Sequence, residues 1–233
     1  MKKIAIFLFL FSAACQLYAQ TADDIANKSL DAIGGKDKLL AIKNLYMEGD
    51  IDANGQQIQI KNWWVCNKAM RTQYTLMGMT GYSIVTKDSG WNYNPFNGQK
   101  QAEPMTADMV KTLQVELDIQ SPLLDYKTKG YKLAYKGKDD MDGSDVYKLE
   151  LVVNDSEIIT YFIDPASYFI LRQKTKSKVN GKEENAQEDF SNYQKSPDGY
   201  VFPMNVNSEG GEVKFTVIKV NTDIDSGLFK PKN

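Results

Sequence analysis

The chain has 233 residues, a formal charge of −2 at pH 7 and no histidine. That balance excludes the nucleic-acid backbone and broad anionic membrane surfaces as principal partners. The missing histidine removes the commonest general base, the Ser-His and Cys-His nucleophile pairs and most zinc sites.

Lys2 and Lys3 precede an unbroken apolar run from Ile4 to Phe11 and the small residues Ser12, Ala13 and Ala14. This is the layout of a secretory signal peptide, and the run is too short to span a bilayer as a helix. Cleavage after Ala19 makes residues 1–19 the signal and 20–233 a single exported domain. The alternative is a lipid anchor at Cys15, although Ser12 stands where a lipobox carries a large aliphatic residue. Loss of two lysines takes the charge to −4. It also leaves Cys66 as the only cysteine, so no intramolecular disulfide can form. With no histidine to activate it, Cys66 reads as a buried strand residue.

Thr21 caps a predicted helix in which Ile25, Ala26, Leu30 and Ile33 recur at helical spacing, and Gly34-Gly35 ends it. A short second helix carries Leu39, Leu40 and Ile42. From Leu45 onward the period changes to two. Leu45 to Ile51 and Gln57 to Val65 form a hairpin about Asn54-Gly55, with Ile58, Ile60 and Trp64 alternating against Gln59, Lys61 and Trp63. Strands follow around Met70, Tyr74 and Leu76, from Tyr82 to Thr86, and from Trp91 to Tyr93. One interruption, Thr106 to Leu117, places Met109, Val110, Leu113 and Leu117 on one helical face. Strands resume from Tyr131, with turns at Asp142-Gly143, Asn154-Asp155, Asp164-Pro165, Asn180-Gly181, Pro197-Asp198-Gly199 and Gly210-Gly211. The expected fold is mainly β: an incomplete antiparallel β-barrel (half-barrel) of about ten or eleven strands, with helices covering the concave side.

The catalytic vocabulary is sparse. No phosphate-binding glycine loop, GxSxG elbow or GxGxxG motif occurs. Asp139-Asp140-Met141-Asp142-Gly143 suggests a calcium loop, but alignment on Gly143 puts Lys138 at the first ligand position and Leu149 where the bidentate Glu belongs. A hairpin turn with solvated charges is the better reading. Neither metal nor cofactor is expected. Glu183, Glu184, Glu188 and Asp189 leave room for a carboxylate-dependent hydrolase, and Trp63, Trp64 and Trp91 for a carbohydrate or other surface-binding module. Met77 and Met79 suit either an adaptable apolar pocket or ordinary gap-filling.

Several segments, taken in order, resemble the LolA-like outer-membrane lipoprotein-sorting family. They are Leu30 to Leu39, Met47-Glu48-Gly49, Gly90-Trp91 with Asn94-Pro95, and Ser121-Pro122-Leu123-Leu124. Asp142-Gly143 with Val146-Tyr147, Tyr161 to Asp164, Asp198 to Pro203, and Leu228 to Pro231 complete the series. The resemblance spans nearly the whole mature chain. It implies a non-enzymatic periplasmic carrier for the acyl chains of lipoproteins or other lipids, monomeric, with an outer-membrane receptor as a further partner. Carriers of this kind hold their lid with an early-strand arginine, whose counterpart would be Arg71.

A cavity in a curled sheet is lined by one parity of each strand. The apolar parity gives Ile58, Ile60, Trp64, Tyr74, Leu76, Leu149, Leu151, Phe202, Met204, Phe215 and Val217. Leu113 and Leu117 face them from the lid helix. A filled core would use the same residues, so only excess volume separates cavity from core.

Overall fold

Period-two stretches with short turns between them can satisfy their backbone groups only by pairing with neighbours, and here they do so in one sheet. A computed structural model describes residues 22–53, 55–179 and 181–231. The predicted signal peptide, Cys15, the predicted cap Thr21 and the predicted turn residues Asn54 and Asn180 lie outside them. Helix α1 (22–32) and helix α2 (Lys36–Leu40) lead into β1 (Asn44–Ala53), β2 (Gln56–Val65), β3 (Ala69–Leu76), β4 (Met79–Thr86), β5 (Gly90–Tyr93) and β6 (Glu103–Pro104). Helix α3 (Ala107–Leu113) runs on into a 3-10 turn, Gln114–Leu117. There follow β7 (Lys132–Met141), β8 (Ser144–Asn154), β9 (Glu157–Ile163), β10 (Ile170–Val179), β11 (Lys182–Lys195), β12 (Val201–Ser208) and β13 (Gly211–Val220). Among the described residues no helix is long and apolar enough to cross a membrane.

All 13 strands form one antiparallel sheet in the order β6-β5-β4-β3-β2-β1-β13-β12-β11-β10-β9-β8-β7. Every neighbour is consecutive in the chain except β1 and β13, whose pairing joins the two meanders. The sheet is open, with β6 and β7 at its edges. It is the expected half-barrel with more strands than the pattern suggested, because pieces as short as β6 carry no readable alternation.

The helices cover one face. Ile25, Ala26 and Leu30 of α1 pack with Leu39, Leu123 and Leu124 against Leu149, Leu151, Ile159, Tyr161 and Ile163 of β8 and β9. A second, smaller cluster joins Leu113 and Leu117 to Trp64, Met70, Val85 and Met105. Thr106 caps α3 by accepting the Met109 N–H. Val110 is buried while Met109 is 38% exposed. The expected apolar face is narrower than the pattern suggests: Val110, Leu113 and Leu117 hold it, and Met109 lies at its exposed margin.

Between Glu48 and Gly49 the register of β1 against β13 shifts: Gly49 pairs with Phe215, but Glu48 pairs with Val217. The strands come so close here that a Cβ on Gly49 would lie 2.4 Å from the Lys214 carbonyl oxygen and 2.8 Å from the Phe215 Cα. Backbone, not a mobile side chain, would have to move. Gly49→Ala should therefore cost about 1–3 kcal/mol, read as a lower urea midpoint with unchanged slope.

Candidate functional site

Register decides which side chains share the helix-covered inner face. Leu45, Met47, Gly49 and Ile51 of β1 pair with Trp64, Asn62, Ile60 and Ile58 of β2. Trp64 and Ile60 pair in turn with Met70 and Tyr74. One row crosses five strands: Phe190–Val206, Val206–Val213, Val213–Ile51 and Ile51–Ile58. Each of these five residues is only half-buried, and none belongs to either packed cluster. This apolar row is the floor of a trough.

Its closure comes from α3, which contacts both β4 and β10. Between those strands lie β3, β2, β1, β13, β12 and β11. A helix this short can touch both only because the sheet curls its inner face around the space between them. The fit is close at Gly90, where a Cβ would meet the Met105 sulfur at 2.7 Å and Val110 Cγ2 at 3.2 Å.

The predicted cavity residues other than Val217 divide into three groups. Ile58, Ile60, Tyr74, Leu76, Met204 and Phe215 have trough parity. Tyr74 donates its hydroxyl hydrogen to the Tyr93 carbonyl and packs near Phe96. Leu149 and Leu151 have no exposed surface and are sealed under α1, with Phe202 at the edge of the same cluster. They are filled core and do not line the trough. Trp64, Leu113 and Leu117 sit in the lid contact. Val217 is a correction: the bulge pairs it with Glu48, whose carboxylate meets Tyr46, Gln59 and Lys61 on the outer face. Strict alternation cannot foresee a reversal produced by one extra residue.

Arg71 is also misplaced by the sequence reading. It pairs with Trp63 and Ile84, so it faces outward, away from α3. Its guanidinium lies 4.0 Å from the Tyr82 ring centroid and donates to the Leu228 carbonyl (3.1 Å) and to Gln73 (3.3 Å). Burial draws its pKa down from the ordinary value. What it holds is the C-terminal 3-10 turn Ser226–Phe229, which covers the outer face of β3 and β4. Trp63, its ring tilted against that of Tyr46, and Trp91, paired with Ile84, share that outer face.

Of the four acidic hydrolase candidates, Asp189 is held by Arg172 on the outer face and Glu183 by Lys176, while Glu184 is exposed. Of these only Glu184 and Glu188 have inward parity, Glu184 at an exposed strand end and Glu188 on the row Tyr161–Gln173–Glu188–Ser208. Two carboxylates missed by sequence reasoning accompany it. Glu116 lies on the 3-10 turn after α3. Its pKa is pushed up by desolvation and by Glu188 and Glu157. Glu157, on the inner face of β9, is 4% exposed. Burial raises its carboxyl to about 7 despite a hydrogen bond from Asn154. Among the described residues no cluster could hold a metal ion. Asp140 accepts the Gly143 N–H in an ordinary hairpin turn, and Cys66 is a half-buried free thiol raised by burial.

No protein-family model matches the sequence, and no curated protein matches it. Solved structures do share the fold. An outer membrane lipoprotein-sorting protein domain from Vibrio parahaemolyticus superposes with TM-score 0.52 at 15% identity, covering 91% of this chain and 97% of that one. A DUF1329 family protein from Desulfovibrio piger gives 0.55 at 13% identity, with coverage of 91% and 97%. A LolA superfamily protein from Nitrosomonas europaea gives 0.53 at 13% identity, with 90% and 97%. The architecture expected from the sequence resemblance is therefore the architecture found.

Two measurements follow from these contacts. Arg71→Ala should cost roughly 2–3 kcal/mol through the lost ring contact and charged hydrogen bonds, and should make the C-terminal segment more accessible to carboxypeptidase. Glu157 holds its proton more tightly in the folded chain than at its ordinary value of 4.5. The stability this gives is full below about pH 4.5 and is lost as pH rises through about 7, by at most about 3 kcal/mol. Glu157→Gln should flatten urea midpoints over that window and be the more stable protein at pH 8.

Proposed function

We propose that this chain is a periplasmic carrier that binds the acyl chains of lipids or lipoproteins in the inner trough and takes part in lipoprotein sorting to the outer membrane. The observation that carries the reading is the half-buried row Phe190–Val206–Val213–Ile51–Ile58, left uncovered on a face whose two ends are packed under helices. Apolar side chains at this density, without a protein partner, are a surface that gains free energy by taking up hydrocarbon. The signal-peptide layout at the N-terminus supports export, and the fold shared with a lipoprotein-sorting domain and a LolA superfamily protein supports the carrier class. The inward carboxylates are not arranged as a catalytic pair with a nucleophile or an oxyanion pocket, which favours carriage over turnover.

Native mass spectrometry of detergent-free protein should find an acyl-bearing species. Added fatty acid at about 100 times its Kd should stabilise the protein by about 2.7 kcal/mol. Ile58→Glu and Val206→Glu, at half-buried positions, should abolish uptake while leaving the far-UV spectrum and most of the stability intact. If nothing acyl-bearing co-purifies, and fatty acid and lipoprotein both leave Tm unchanged, the carrier reading fails.

A further inference from the structure

Above the trough, α3 faces the tips of the β8–β9 and β10–β11 hairpins across a cleft of about 170 Å³. Asp108, Lys111 and Thr112 line it from the helix, and Ser156, Glu157 and Lys178 from the hairpins. A cavity of about 150 Å³ takes a benzene-sized molecule, and the charged and hydroxyl side chains that line this one suit a polar head group of that size. Lys111 and Lys178 are exposed and form no ion pair among the described residues. Glu157 is buried at the inner wall, and its Oε1 has no hydrogen-bond partner. A buried carboxylate oxygen without a donor is costly, and in native proteins such atoms are satisfied by water, an ion or a ligand. The cleft thus offers Lys111 beside Asp108 on the helix, Lys178 at the hairpin tip and an unsatisfied acceptor at its base.

That pattern complements a zwitterion with its anion outward and its ammonium inward. The cleft is also continuous in charge with the trough. Glu116, under α3, interacts electrostatically with Glu157 and with Glu188, and Glu188 lies two residues from the trough residue Phe190 on the same face of β11. We propose, building on the carrier reading, that the α3 cleft receives a phosphoethanolamine head group, ammonium on Glu157 and phosphate between Lys111 and Lys178, while the acyl chains lie along the trough. A trimethylammonium head lacks the N–H that Oε1 requires. A phosphoglycerol head brings net negative charge, with no cation, toward three carboxylates.

The test is calorimetric titration of lipid-stripped protein with short-chain phosphatidylethanolamine, phosphatidylcholine and phosphatidylglycerol of one chain length. A charge-assisted hydrogen bond made by one head group alone should make phosphatidylethanolamine about tenfold tighter than the other two. Glu157→Gln should erase that preference, with melting by circular dichroism confirming the fold. Lys111→Ala combined with Lys178→Ala, both at exposed positions, should weaken all three phospholipids and leave uncharged diacylglycerol unchanged. Soluble glycerophosphoethanolamine separates the sources of the head group: binding as tight as the lipid's supports the site with the free zwitterion as ligand, and weaker binding supports the lipid. Equal affinities across the three phospholipids, or a preference that survives Glu157→Gln in folded protein, would overturn the head-group site alone. Binding of no lipid at all would overturn the carrier reading with it.

Discussion

The contact on which the rest of the architecture depends is the bridge made by α3 between β4 and β10. A long antiparallel sheet twists and curls of its own accord, but twist alone does not set how far its arms approach. Here α3 is seated on one arm by Val110, Leu113 and Leu117 against Val85, Met70 and the bare backbone at Gly90, and it touches β10 on the other. The short helix acts as the missing part of a barrel wall. Six intervening strands are thereby curled around the half-buried apolar row.

Two further contacts brace the curled sheet. At one end α1 supplies the apolar bulk that a closed barrel would draw from its opposite wall, burying Leu149, Leu151 and Ile163 completely. On the outside, the C-terminal turn is strapped to β3 and β4 by Arg71, so those strands are covered on both faces. Ile84, which faces outward, is consequently as buried as any inner residue. The trough row lies where neither contact reaches, and its half-exposure is the structural result.

Carboxylates in such a place are expensive unless they do something. Glu116, Glu157 and Glu188 all have raised pKa values, with desolvation as the leading cause in each. They mark the polar margin of an otherwise apolar surface. Lid, trough and acidic margin therefore meet around the 3-10 turn that follows α3, where a change in any one is felt by the others.

The amino-acid pattern by itself determined the β class, the hairpin turns, the capped helix after Thr106 and the inward set Ile58, Ile60, Tyr74 and Leu76. These are decided locally, by alternation and by turn residues whose conformational preferences do not depend on distant partners. Three things only the tertiary structure decided. The Gly49 bulge put Val217 on the outer face, because a register shift requires knowledge of the partner strand. Arg71 went to the C-terminal strap and not to the lid, because its partner Leu228 is remote in sequence. Leu149 and Leu151 became solid core while Ile58 and Val206 stayed half-open, although all four share the same alternation. The difference is whether α1 lies above them, and the placement of a helix over a curled sheet is a long-range packing outcome that no strand encodes alone.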